Sequence, residues 1–143
     1  MDKTDIQILK VLQEDGRISL SDLADEVGLS KTPCWNRVKH LEDTGVIKGY
    51  GAWVDEQKLD MQIRAMIHVV IDFSMSSAFE KAAVDHSSVI RCAAVTGDFD
   101  YILEVSAKDM LEFDALLRAD LSRLPGVQRF STSISTREVK ARK

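Results

Sequence analysis

The chain is poor in the residues that staple, kink or anchor a protein: 143 residues carry only two cysteines, two prolines and 6% aromatics. Cys34 and Cys92 stand outside the closely spaced pairs that bind zinc or exchange disulfides, so both read as buried thiols and no metal site is expected. No apolar run approaches the ~20 residues that span a bilayer, and Met1-Asp2-Lys3-Thr4-Asp5 is too polar for a signal peptide. The expectation is a cytoplasmic chain with no membrane partner and no cofactor. Catalytic groups are scarce too. His40, His68 and His86 fall in three different predicted elements without a clear Ser or Cys partner, and no phosphate-binding glycine loop appears, which argues against an enzyme.

An overall positive charge is also missing. The formal net charge is -4, and residues 1–50 hold seven Lys or Arg against nine Asp or Glu. Nucleic-acid-binding domains are usually basic, so only the distribution of charge can rescue such a function. It does so locally: between Lys31 and Leu41 there are three fixed cations plus His40 and no acid. A positive face this small makes few phosphate contacts per subunit, which points to an oligomer that sums several copies.

What is present divides near Asp55 into a part of roughly 50 residues and one of roughly 85. Asp2 can cap a first helix with Ile6, Leu9 and Leu12 on one stripe and Gly16 as its stop. Ser19 with Asp22 caps a second, short helix carrying Leu20, Leu23, Ala24 and Val27 and ending at Gly28. Ser30 caps a third, with Pro33 in its first turn and Gly45 closing it. On this third helix Cys34, Val38 and Leu41 recur at helical spacing and form the buried seam. The opposite face presents Lys31, Thr32, Trp35, Asn36, Lys39 and Asp43, with Arg37 toward one edge. These side chains suit double-stranded DNA: Asn pairs bidentately with adenine, Thr and Trp touch a thymine methyl, and Lys or Arg reaches guanine or phosphate. Two short helices joined at Val27-Gly28-Leu29-Ser30, the second of groove width, are the layout of a helix-turn-helix.

Residues 46–54 combine glycines, aromatics and β-branched residues and read as a linker strand. From Arg64, Ala65, Ile67, Val69, Ile71 and Phe73 alternate with Met66, His68, Val70 and Asp72, a strand of period two. A helix with Phe79, Ala82, Ala83 and His86 inward follows, then a strand from Val89 to Thr96. Gly97-Asp98 is expected as a tight type II′ turn into a strand from Tyr101 to Ala107. Asp109 with Glu112 caps a last helix carrying Met110, Phe113, Leu117, Leu121 and Leu124, ended by Pro125-Gly126 before a strand from Val127 to Thr136. The fold class is therefore α+β: a three-helix helix-turn-helix domain (1–48), a linker strand and connection (49–62), and a ferredoxin-like βαββαβ domain with an antiparallel sheet (63–143). The sheet face away from the helices, with Met66, Val70, Ile102, His68 and Glu104, is too apolar to stay wet and is expected to be covered by a second subunit.

Several short stretches, in order, resemble the Lrp/AsnC family of bacterial and archaeal transcription regulators, also called feast/famine regulators. They are Asp2-Lys3-Thr4-Asp5-Ile6 with Ile8-Leu9; Leu29-Ser30 and Thr32-Pro33-Cys34 with Arg37-Val38 and Leu41-Glu42; Gly45-Val46-Ile47 leading to Tyr50 and Ala52; and Gly97-Asp98-Phe99-Asp100-Tyr101. The resemblance implies a DNA-binding helix-turn-helix and a C-terminal domain that forms homodimers, commonly assembled to octamers, and binds an amino acid or related small metabolite. It also places that effector beside the loop, with Thr96, Gly97, Asp98, Asp100 and Tyr101 as its contacts. The residue chemistry agrees, since two nearby carboxylates can accept an α-ammonium group. A rival reading is an architectural protein of the same fold that compacts DNA without an effector.

Overall fold

The computed structural model describes residues 1–139, Gln57 through its backbone only. The chain forms two units, one of Met1–Val54 and one beginning at Asp55. Among the described residues no helix is long and apolar enough to cross a membrane.

The first unit holds α1 (Lys3–Glu14), α2 (Leu20–Glu26) and α3 (Lys31–Asp43). Asp2 and Asp5 form a reciprocal capping box: the Asp5 amide donates to Asp2 Oδ1 at 2.9 Å and the Asp2 amide to Asp5 Oδ2 at 2.8 Å. Ser19 Oγ likewise accepts the Asp22 amide at the start of α2. Ser30 sits at the N-cap of α3 but its side chain makes no capping bond. The reason is Pro33, which occupies the third helical position and has no amide proton to offer. Gly28 (φ 69°) and Gly45 (φ 72°) end α2 and α3 in the left-handed conformation open to glycine. Gly16 does not act as the stop of α1; Asp15 ends that helix in an extended conformation. Ile8, Leu23, Ala24, Cys34 and Leu41 make the core, with Leu9, Leu12, Val38 and Ile47 packed around them.

The expected linker strand is not a strand. Among the described residues, 46–54 join no strand ladder, and Trp53 is 73% exposed. Strand composition alone cannot make a strand, because its N–H and C=O groups need a neighbouring strand, and among the described residues the sheet has four strands, none of them in 46–54.

The second unit is the expected α+β sandwich. Strands β1 (Ile63–Ile71), β2 (Val89–Ala94), β3 (Tyr101–Ala107) and β4 (Val127–Ile134) lie in the antiparallel order β2-β3-β1-β4, with α4 (Ser76–Asp85) and α5 (Met110–Ala115) between them in sequence. Ala65, Ile67, Val69 and Ile71 of β1 and Tyr101, Leu103, Val105 and Ala107 of β3 pack with Phe79, Ala83 and Phe113 of the helices. The open face carries Arg64, Met66, His68 and Val70 of β1 beside Ile102 and Glu104 of β3.

Three local expectations are corrected. β1 ends at Ile71: Asp72 caps a short 3-10 turn, Phe73–Met75, through the Ser74 amide, leaving Phe73 71% exposed rather than on the inner face. α5 passes into a π-turn at Leu116–Asp120, whose extra residue keeps Leu121 buried five positions after Leu116, while Met110 at the start of α5 faces solvent. No two-residue II′ turn joins β2 to β3. The Val95 amide donates to the Asp100 carbonyl at 2.9 Å, so the loop between the closing pair is Thr96–Phe99, and β2 stops at Ala94.

Candidate functional site

The first candidate surface is the outward side of α3. Cys34 and Leu41 are buried against α1 and α2, and burial pushes the Cys34 thiol above its ordinary range. That anchoring turns Lys31, Thr32, Trp35, Asn36 and Lys39 to solvent, Trp35 being 48% exposed. Lys39 Nζ stands 4.9 Å from the Trp35 ring centroid, a cation–π contact that orders both side chains. Among the described residues neither Lys31 nor Lys39 is paired with a carboxylate.

Arg37 is placed differently from the other five. Its Nη1 donates at 2.7 Å to both Asp2 Oδ2 and Asp5 Oδ1, fastening the middle of α3 to the N-terminus of α1. Each carboxyl is held below the usual range, first by the backbone amide of the other and then by the guanidinium. The carboxylates in turn raise Arg37, Asp5 first. The guanidinium thus offsets one of the two negative charges that would otherwise repel an anionic partner of α3.

The second candidate surface is an open cavity of about 700 Å³ at the β2–β3 end of the sheet, lined by His68, Ala94, Val95, Thr96, Asp98, Phe99 and Ile102. Of the five residues expected at the effector site, Thr96 and Asp98 line it, and Gly97 (φ 114°) shapes the loop between them. Asp100 and Tyr101 lie elsewhere. Asp100 is a strut: its amide donates to the Val69 carbonyl at 2.9 Å and its Oδ2 accepts the Ile71 amide at 2.9 Å, where β1 bulges. Tyr101 points to the helix layer, 5% exposed, with its hydroxyl donating to Glu80 Oε1 at 2.7 Å and its ring 4.7 Å from Phe79. The Glu80 bond, then burial, push the phenol up to about 12. Two nearby free carboxylates are therefore reduced to one, Asp98.

His68, Phe99 and Ile102 were not among the expected contacts. Strand alternation carried the signal for two of them: Ile102 and His68 are directly paired on the open face, one step out of phase with Tyr101. Phe99 lies 5.2 Å from His68, ring to ring, and the Arg129 guanidinium stands 5.4 Å from the Phe99 centroid.

Comparison with known proteins agrees in both units. Residues 1–48 match a family model for winged helix-turn-helix DNA-binding, and residues 64–143 one for the Lrp/AsnC ligand binding domain. A leucine-responsive regulatory protein of Haemophilus influenzae is 42% identical over 98% of this chain and 86% of its own length. The Bkd operon transcriptional regulator of Pseudomonas aeruginosa is 37% identical over 99% of this chain and 95% of its own. Among solved structures, a transcriptional regulator of Neisseria meningitidis in complex with L-methionine superposes with a TM-score of 0.95 at 35% identity, covering 99% of this chain and 94% of that one.

Proposed function

This chain belongs to the Lrp/AsnC family of transcription regulators, and on that premise we propose which of its residues read DNA and which hold the effector. It is a DNA-binding regulator with an amino-acid-binding domain, in a family of regulators rather than enzymes. The outward side of α3 enters the major groove: Asn36, Thr32 and Trp35 meet base edges, while Lys31 and Lys39 meet phosphate or guanine. Arg37 serves the same surface from behind by fixing the helix to Asp2 and Asp5. The observation that carries this reading is the strip of five exposed side chains, none of them acidic, on a helix whose other side is locked in a core, with Asp43 following only at its C-terminal end.

The effector is a free amino acid in the β2–β3 cavity. Asp98 accepts its α-ammonium group, Thr96 offers a hydroxyl, and Val95, Phe99 and Ile102 contact its side chain. The open sheet face, half-exposed at Met66, is covered by a second copy, and dimers assemble further, to octamers. A ligand that prefers one arrangement of dimers shifts the population toward it and so changes how many α3 helices meet DNA together.

Fluorescence anisotropy on a duplex selected from a random pool tests the reading head. Asn36→Ala is expected to weaken the selected site by ~1–3 kcal/mol while leaving scrambled DNA unchanged, as a base contact requires. Equal loss on both duplexes would remove Asn36 from that role.

A further inference from the structure

The loop Thr96–Phe99 has a firm foot and a tip that the strand ladder does not hold. At the foot, Val95 bonds Asp100, and Asp100 bonds Val69 and Ile71 of β1. The tip contains Gly97 at φ 114° and the two cavity residues Asp98 and Phe99. What braces it comes from the far edge of the sheet. Arg129 of β4, in register with Val70, sends Nη2 to within 3.4 Å of the Asp98 carbonyl oxygen and lays its guanidinium 5.4 Å from the Phe99 centroid. Phe99 in turn rests 5.2 Å from His68 at a 49° tilt. The result is a stack, Arg129–Phe99–His68, running from β4 across β1 to the cavity rim.

We infer that Arg129 is a positioning residue for the effector cavity, setting the direction of Asp98 and Phe99 without touching the ligand. This rests on the reading of that cavity as the amino-acid site. Two features favour it. Arg129 meets the carbonyl of Asp98 rather than its carboxylate, so the acid stays available to an ammonium group. Arg129 lines no part of the cavity, and its contacts there are with the loop residues Asp98 and Phe99.

The test uses the full chain as wild type, Arg129→Ala and Arg129→Lys. Hydrogen exchange by mass spectrometry follows the amides of Val95–Tyr101, and calorimetry measures binding of L-leucine and L-methionine. In Arg129→Ala the loop amides are expected to exchange roughly five- to seventyfold faster, with β1 and α4 unchanged, and the Kd to rise by a similar factor, the size of an exposed cation–π contact and one hydrogen bond together. Arg129→Lys keeps a cation over Phe99 but not the planar fork, so it recovers part of both effects. Loop exchange equal to wild type overturns the inference, as does a loosened loop with unchanged Kd. If wild type binds neither amino acid, the effector reading and its ligand arm fall, and the exchange arm still decides whether Arg129 holds the loop.

Discussion

The division of labour between Lys39 and Arg37 on α3 can be read from the salt dependence of DNA binding. Lys31 and Lys39 carry no carboxylate partner among the described residues, whereas Arg37 is held at 2.7 Å by both Asp2 and Asp5. The proposed dimer would therefore bring four such cations from its two α3 helices, and each phosphate neutralised adds about -0.9 to the slope of log Kobs against log salt, or about -3.6 in all. Between 50 and 200 mM salt this contribution alone weakens binding by roughly two decades. Lys39→Gln removes one cation per subunit and is expected to flatten the slope by about 1.8. Arg37→Gln lowers affinity at every salt concentration by releasing α3 from α1, but leaves the slope where it was. Anisotropy titrations of one labelled duplex across a chloride series give all three slopes, with thermal unfolding as a check that each variant folds. A slope flattened by about 1.8 in Arg37→Gln would refute the reasoning, because it would show the guanidinium leaving its carboxylates for the DNA backbone.

Two further outcomes concern the scaffold. Gly126 sits at φ 76°, and a Cβ there would lie 2.6 Å from Met75 Cβ, so Gly126→Ala meets both backbone strain and a clash. The sum is about 2–4 kcal/mol and lowers the melting temperature by roughly 10 °C or more; a shift under about 3 °C in calorimetry would contradict it. Tyr101 and Tyr50 are both pushed up to about 12, the first mainly by its bond to Glu80, the second mainly by burial and then by Glu42. A phenol whose folded value is raised binds its proton longer in the native state. Its contribution is thus complete below the unfolded value near 10 and is lost as pH rises toward 12. Denaturant titrations are expected to show a fall in stability over that window which Tyr50→Phe and Tyr101→Phe together flatten, and a curve unchanged by the pair would count against the assignment.

Elements whose signals are local were legible in the sequence. Asp2, Ser19 and Asp109 each found the amide that capping chemistry assigns them, and the period-two run of β1 delivered its inner face residue by residue. What escaped depends on partners distant in the chain. Asp100 reads as a free acid until the Ile71 amide, 29 residues away, takes its oxygen, and Arg37 reads as a free cation until α1 supplies Asp2 and Asp5. Tyr101 is a different kind of miss. Its phase with Leu103 already assigned it to the core, but its place beside the Gly97-Asp98 turn drew it toward the cavity. Nothing in the local sequence points from Arg129 to Phe99, because that contact exists only once β4 is laid beside β1.

The Asp100 strut has a consequence for how such a protein can change its taste. By tying the base of the hairpin to β1 through its own amide and carboxylate, it separates the register of the sheet from the identity of residues 96–99. On the proposed reading of the cavity, the four positions of the tip form a cassette: new letters there would rewrite which metabolite is sensed while the strands beneath stay in step. A biosensor engineer would randomise those positions and leave Asp100 alone.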